Sequence, residues 1–194
     1  MIEINYNSDF KDLITKYPKF WKKKILKEGK SLIKIGDVSK QNIYVETGVI
    51  RAYYKHTKVV NGKEKTKEII IGFFAGSDTI LHYRSFVEPI TMVFNFDVAS
   101  NTDAVVWLID AENWNFIEAN EPKLHELMHK EYDKVIRKLL EYSLIRSIAE
   151  APERYEIFMK SRPYADKLLT KHIALYIDVS PDTLSNIKSG NYNN

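Results

Sequence analysis

His125-Glu126-Leu127-Met128-His129 has the residue types and spacing of a catalytic metal motif. Two imidazoles four residues apart on a helix can hold zinc, with the glutamate between them as general base. The surroundings argue against that chemistry. Lys123 and Lys130 flank the motif, Glu131 follows it, and Met128 falls on an apolar seam that leaves the two histidines to either side. Glu150 could be imagined as a third ligand, but Pro152 follows it closely. His56, His82 and His172 are scattered, and no strand carries the paired histidines with which a β-barrel holds a metal. There is no glycine-rich phosphate loop, and the carboxylates are spread as surface groups usually are. The absence of cysteine removes disulfides, thiolate nucleophiles and cysteine-ligated metals. The expectation is a protein that is not an enzyme and carries no metal or cofactor.

A different chemistry, recognition of duplex DNA, is written in the last quarter of the chain. Residues 171–188 read as helix, tight turn, helix. Ala174 is small enough to let two helices approach, Ile173 and Ile177 share an apolar face, and Val179 closes the turn. Ser180 is the N-cap of the next helix, and Pro181 sits where a missing N–H costs nothing. Leu184 and Ile187 turn inward, leaving Asp182, Thr183, Ser185, Asn186 and Lys188 outward. Asp178 occupies a turn position where glycine is usual. Geometry gives Lys171 and Ser180 to phosphate, Thr183, Ser185 and Asn186 to base edges, and Lys188 to further phosphate contact.

The elements that must position these residues follow from periodicity. Residues 9–27 read as helical, with Phe10, Leu13, Ile14 and Tyr17 on one face and Pro18 restarting the segment through Phe20, Trp21, Ile25 and Leu26. Short strands follow at 32–35, 43–46, 49–56, 67–74, 92–99 and 105–109, separated by turns; Asn61-Gly62 is a hairpin mark because both residues accept positive φ. Such spacing predicts a sandwich or jelly-roll barrel. A short helix is expected over 111–119 and a long one over 121–149, about 43 Å at 1.5 Å per residue. Its apolar positions Leu124, Met128, Tyr132, Val135, Leu139 and Tyr142 alternate steps of four and three, the seam of a helix that pairs with a second copy. Pro152 and Pro163 mark breaks before the C-terminal helices.

Net charge is +3, unevenly spread: residues 1–40 hold ten lysines against five acids, whereas residues 151–194 hold six basic and five acidic residues. A near-neutral reader makes few phosphate contacts per subunit and relies on dimerisation to double them. The lysine run Lys22-Lys23-Lys24 reads as a solvated face and interrupts any leader-like apolar stretch. No segment approaches the ~20 apolar residues needed to span a bilayer, so a cytoplasmic protein with no membrane partner is expected.

A jelly roll, a long helix and a helix-turn-helix, in that order, resemble the Crp/Fnr family of transcription regulators. The resemblance is carried by 44–54 (YVETGVIRAYY), 72–78 (GFFAGSD), Ser85-Phe86, 151–158 (APERYEIF) and the C-terminal motif. It looks most like the short regulators common in the Bacteroidetes. The implied fold class is α+β: a cyclic-nucleotide-binding-like jelly roll over 1–120, a dimerisation helix over 121–150 and a helix-turn-helix domain over 151–194. The implied function is sequence-specific transcription regulation by a homodimer on double-stranded DNA.

Departures from the family pattern sharpen these expectations. Relatives that bind cyclic nucleotides hold the ribose with a Gly-Glu pair and the phosphate with an arginine. Here Ile80-Leu81-His82 and Pro89-Ile90-Thr91-Met92 stand in those places, so a buried phosphate would lack its cation and neither cyclic AMP nor cyclic GMP is expected to bind in the usual way. The cysteines of the iron-sulfur branch are absent. His82, Arg84 and Ser85 are the candidates for some other small-molecule effector; the competing reading is a barrel filled by its own aromatics, Phe73, Phe74, Phe86, Phe94 and Phe96. Asn186-Ile187-Lys188 replaces the usual Arg-Ile-Arg, favouring adenine over guanine. The six residues after Lys188 leave no room for a β-hairpin wing. The alternative is a ligand-binding barrel with a vestigial DNA domain acting through a protein partner.

Overall fold

Residues 43–45, 49–53, 70–75 and 104–109 are largely apolar on both faces because each sheet is covered on both sides there, and this fixes the layering. The computed structural model describes residues 10–81, 91–148 and 150–192. In chain order these form α1 (Phe10–Lys16), a 3-10 turn (Pro18–Phe20), β1 (Trp21–Leu26), β2 (Ser31–Ile33), β3 (Gln41–Thr47), β4 (Val49–Val60), β5 (Lys63–Ala75), β6 (Thr79–Ile80), β7 (Asn95–Val98) and β8 (Ala104–Asp110). Then come α2 (Ala111–Asn120), α3 (Leu124–Ser147), α4 (Ala151–Ser161), a 3-10 turn (Ala165–Lys167), α5 (Thr170–Tyr176) and α6 (Pro181–Ser189).

The strands build two antiparallel four-stranded sheets, in the orders β1-β8-β3-β6 and β2-β7-β4-β5. The pairing is nested: β4 with β5, β3 with β6, β2 with β7 and β1 with β8, as in a double-sheet jelly roll. Asn61 and Gly62 make the central hairpin turn with φ 52° and 72°, and Val60 pairs with Lys63 across it. Gly48, at φ 79°, links β3 to β4 where an added Cβ would lie 2.6 Å from the Ala104 Cα, so no side chain fits there.

Three apolar clusters alternate through these layers. Ile43, Val45, Ile50, Ala52, Phe96, Val98 and Val106 fill the space between the sheets. Tyr44, Trp21 and Ile109 face the other way, toward Phe10, Trp114, Leu124 and Met128 of α1, α2 and the start of α3. Val49, Tyr53, Ile70 and Phe73 point out of the second sheet into Ile145, Phe158, Ile173, Tyr176 and Leu184. The C-terminal helices therefore share a core with the barrel.

Two expectations are corrected. Residues 21–26 are not helical: they form the edge strand β1, from Trp21 opposite Ile109 to Leu26 opposite Ala104. Only Trp21 and Leu26 are buried in it, and Ile25 is 63 % exposed, so the open edge of β8 decides the conformation through backbone pairing and not side-chain burial. Lys22, Lys23 and Lys24 then sit on an edge strand, where they block pairing with another chain. The long helix covers 124–147, and its first seam positions, Leu124 and Met128, are buried against α1 and α2. The exposed apolar face is consequently later and broader: it holds Tyr132, Val135, Ile136, Leu139, Leu140 and Leu144.

Candidate nucleic-acid interface and effector cavity

Helices α5 and α6 owe their relation to a turn of four residues. The Val179 N–H donates to the Ala174 carbonyl at 3.0 Å, and Asp178 adopts φ 56°, the left-handed conformation expected of glycine. The cost is offset locally: the Asp178 carboxylate accepts from Lys67 of β5 at 2.7 Å and from Arg146 of α3 at 3.0 Å. The Lys67 hydrogen bond, reinforced by the Arg146 charge, holds this carboxyl below its ordinary pKa.

Ser180 caps α6 by accepting from the Thr183 N–H at 2.9 Å, with Pro181 in the first turn. The two hydroxyls also meet, at 2.8 Å, so Thr183 is half-buried and engaged with the cap. Gly190, at φ 74°, ends the helix with its N–H on the Ile187 carbonyl, and Asn191 donates to the Asn186 carbonyl. Leu184 is fully buried, while Lys171, Ser180, Ser185, Asn186 and Lys188 are exposed. The Lys188 ammonium lies 3.5 Å from Thr170 Oγ1, directed back toward α5. The outward face is thus a short polar strip, Ser185-Asn186 with Lys188, on a helix anchored from behind.

Three side chains, one of them on α5 itself, hold the motif in place. His172 is buried on the inner side of α5, and its Nδ1 meets the Ala99 carbonyl at 3.2 Å. A carbonyl only accepts, so Nδ1 carries the proton and the ring is neutral; burial, with the Arg51 charge second, pulls its pKa down to about 4. Arg162, following α4, donates to the Tyr176 hydroxyl at 2.8 Å and to Glu141 of α3 at 2.5 Å, with its guanidinium over the Phe158 ring. Phe73 of β5 packs against Phe158 and Tyr176 at centroid distances of 6.0 and 5.3 Å. None of the three was singled out from sequence in these roles. Phe73, expected inside the barrel, instead faces the C-terminal helices, because β5 alternates it with Phe74, which does point inward against Phe96.

A cavity of ≈ 290 Å³ lies between the barrel and α3, lined by Ala52, Ile71, Phe74, Phe94 and Phe96 from the strands and Leu139 from the helix, among others. Lys138 also reaches it, but its ammonium is paired with Asp78 at 2.7 Å. His82, Arg84 and Ser85, the expected effector residues, lie outside the described residues, as does Phe86. His125 and His129 are both exposed, and Glu126 pairs with Lys130 at 2.8 Å. Among the described residues no group of three metal-binding side chains gathers, and no helix is long and apolar enough to cross a membrane.

The nested eight-strand barrel, the helix along it and the terminal helix pair together decide the likeness. No family profile matches the sequence, and no curated protein does. Solved structures do. The global regulator CLP of Xanthomonas campestris, described as responsive to c-di-GMP, superposes with a TM-score of 0.70 at 11% identity, over 93% of this chain and 90% of that one. FixK2 of Bradyrhizobium japonicum gives 0.68 at 14% identity, over 88% and 83%. A protein of Eubacterium rectale described as a transcriptional regulator of the Crp/Fnr family gives 0.63 at 14% identity, over 96% and 87%.

This chain has the Crp/Fnr fold. The likeness extends over the barrel and the helices that follow it, so the order expected from sequence is observed in one continuous chain.

Proposed function

We propose that this protein is a homodimeric, sequence-specific DNA-binding transcription regulator of the Crp/Fnr type and not an enzyme. The observation that carries the reading is α6: capped by Ser180, buried through Leu184, and exposing Ser185, Asn186 and Lys188 to solvent. Recognition helices enter the major groove in this way, with their outward residues against base edges. Asn186 is the base reader, since its amide can both donate to and accept from adenine; Ser185 and Thr183 assist, and Lys171, Ser180 and Lys188 contact phosphate.

The exposed stripe on α3, from Tyr132 through Leu144, supplies the two-fold contact. It would set two recognition helices in successive major grooves, roughly 34 Å apart. The working division is a sensor barrel over 1–120, a dimerisation helix over 121–150 and a reader over 151–194. A role on DNA places the protein in the cytoplasm.

The cavity supports an effector that is not a cyclic nucleotide. Its described lining is mostly apolar, and Lys138, the cation among those residues, is already neutralised by Asp78. His82, Arg84 and Ser85 remain the candidate polar contacts for a small effector.

Binding to labelled duplex as a function of salt tests the reading. Phosphate neutralisation makes the logarithm of affinity fall linearly with the logarithm of salt concentration. A steep negative slope is expected; no binding even at low salt contradicts DNA recognition and favours action through a protein partner.

A further inference from the structure

The β4–β5 hairpin extends well beyond the barrel. Strand β7 pairs with β4 only over Ile50–Tyr53, yet β4 and β5 stay in register from Tyr53 opposite Ile70 out to Val60 opposite Lys63. Every residue from Lys55 to Val59 and from Asn61 to Lys67 is exposed. Antiparallel partners share a face, and alternate pairs face the same way.

The charges sort by face. The pairs His56–Lys67, Lys58–Lys65 and Val60–Lys63 lie on one side, which holds four lysines, a histidine and no acid. The pairs Lys55–Glu68, Thr57–Thr66 and Val59–Glu64 lie on the other, where Glu64 and Glu68 outnumber Lys55. Lysines that merely protect a sheet edge have no reason to segregate, and Lys58 directly opposite Lys65 is a repulsive cross-strand pair that folding alone disfavours. Among the described residues, Lys58, Lys63 and Lys65 have no ion-pair partner. Lys67, the innermost lysine of that face, reaches Asp178 in the turn just before α6. From Lys67 to Lys63 the ribbon runs on for about 13 Å at ~3.3 Å per residue.

We propose that this basic face is a second DNA contact: an arm whose Lys58, Lys63 and Lys65 track the phosphate backbone beside the groove that α6 enters. The inference rests on the DNA-binding reading above and adds phosphate contacts to the few that Lys171, Ser180 and Lys188 of the reader provide. Residues 151–194 hold six basic against five acidic side chains, so the barrel supplies the positive charge that the C-terminal segment does not.

The test compares three full-length proteins binding a labelled duplex of mixed sequence between about 50 and 200 mM salt. They are the unaltered chain, Lys58→Gln/Lys63→Gln/Lys65→Gln, and a control, Lys19→Gln/Lys22→Gln/Lys24→Gln, which removes equal charge around the opposite sheet. Each lost phosphate contact lowers the salt slope by ~0.9, so the hairpin triple should lose about 2.7 per chain and about 5 per dimer. The control should keep the slope of the unaltered chain. An unchanged slope for the hairpin triple, or equal losses in both triples, overturns the proposal while leaving DNA binding by α6 intact. Weakened self-association of the hairpin triple with its slope unchanged overturns it as well, assigning the face to the second copy. Absence of any binding by the unaltered chain overturns the DNA reading and this inference with it.

Discussion

The Lys67 ammonium, on the barrel's hairpin, and the Asp178 carboxylate, in the turn between α5 and α6, lie 2.7 Å apart. Arg146 of α3 closes on the same carboxylate from the other side at 3.0 Å. One turn residue therefore ties together the barrel, the long helix and the helix pair. It does so from a left-handed backbone that glycine would adopt more readily but could not equip with a charge.

Asp178 thus has two separable contributions. Asp178→Asn keeps a residue that tolerates positive φ and removes the charge; because the ion pairs are partly exposed, it should cost no more than about 1 kcal/mol in urea unfolding. Asp178→Val should cost a further 1 to 2 kcal/mol or so from backbone strain. Equal losses would show that the left-handed turn is not what selects the residue.

His172 makes stability depend on pH. Its pKa is near 6.5 in the unfolded chain and about 4 in the fold, so between those values the unfolded state binds the extra proton. The contribution is complete above pH 6.5 and is lost as pH falls toward 4, amounting to about 3 kcal/mol. Arg51, Lys171 and Glu68 are the charged groups acting on the ring, and Glu68 alone favours the protonated form. His172→Gln should flatten the dependence of unfolding free energy on pH across that window. A variant with the same slope as the unaltered protein would remove His172 from the account.

Truncating Phe73 tests whether the C-terminal helices depend on the barrel. Phe73→Ala opens a cavity between Phe158 and Tyr176 and should cost about 3 to 5 kcal/mol, in a single transition for barrel and helices. Two separate transitions in the unaltered protein would show that the shared core does not couple them.

The exposed stripe on α3 makes a prediction about assembly. Ile136→Glu combined with Leu140→Glu places charges in the middle of the apolar face and should yield a folded monomer by sedimentation. Persistence of a dimer would move the two-fold contact elsewhere.

Much of this fold was legible because its signals are local. The Asn61-Gly62 turn, the β-branched runs and the Ser180-Pro181 helix start act over a few residues, and the structure follows them. Trp21–Leu26 was misread because Phe20, Trp21, Ile25 and Leu26 fit a helical period, whereas a distant edge, that of β8, sets their conformation. The seam on α3 was read as starting about two turns too early: sequence cannot distinguish apolar positions spent on α1 and α2, such as Leu124 and Met128, from those left exposed. Within the candidate interface, the outward strip was foreseen, but the residues that fix it were not. His172 and Arg162 act across sequence separations of 73 and 14 residues, and no spacing rule announces them.

The most direct measurement is selection of duplexes from a random pool by the purified full-length protein at low salt, followed by sequencing of those retained. The account predicts enrichment of a two-fold symmetric site with half-site centres about one helical turn apart, roughly 34 Å. Asn186→Ala should then weaken binding to that site by ~1 to 3 kcal/mol while leaving binding to random duplex almost unchanged. Retention of duplexes without any shared sequence, or enrichment of a site that Asn186→Ala reads equally well, would contradict a sequence-specific role for α6.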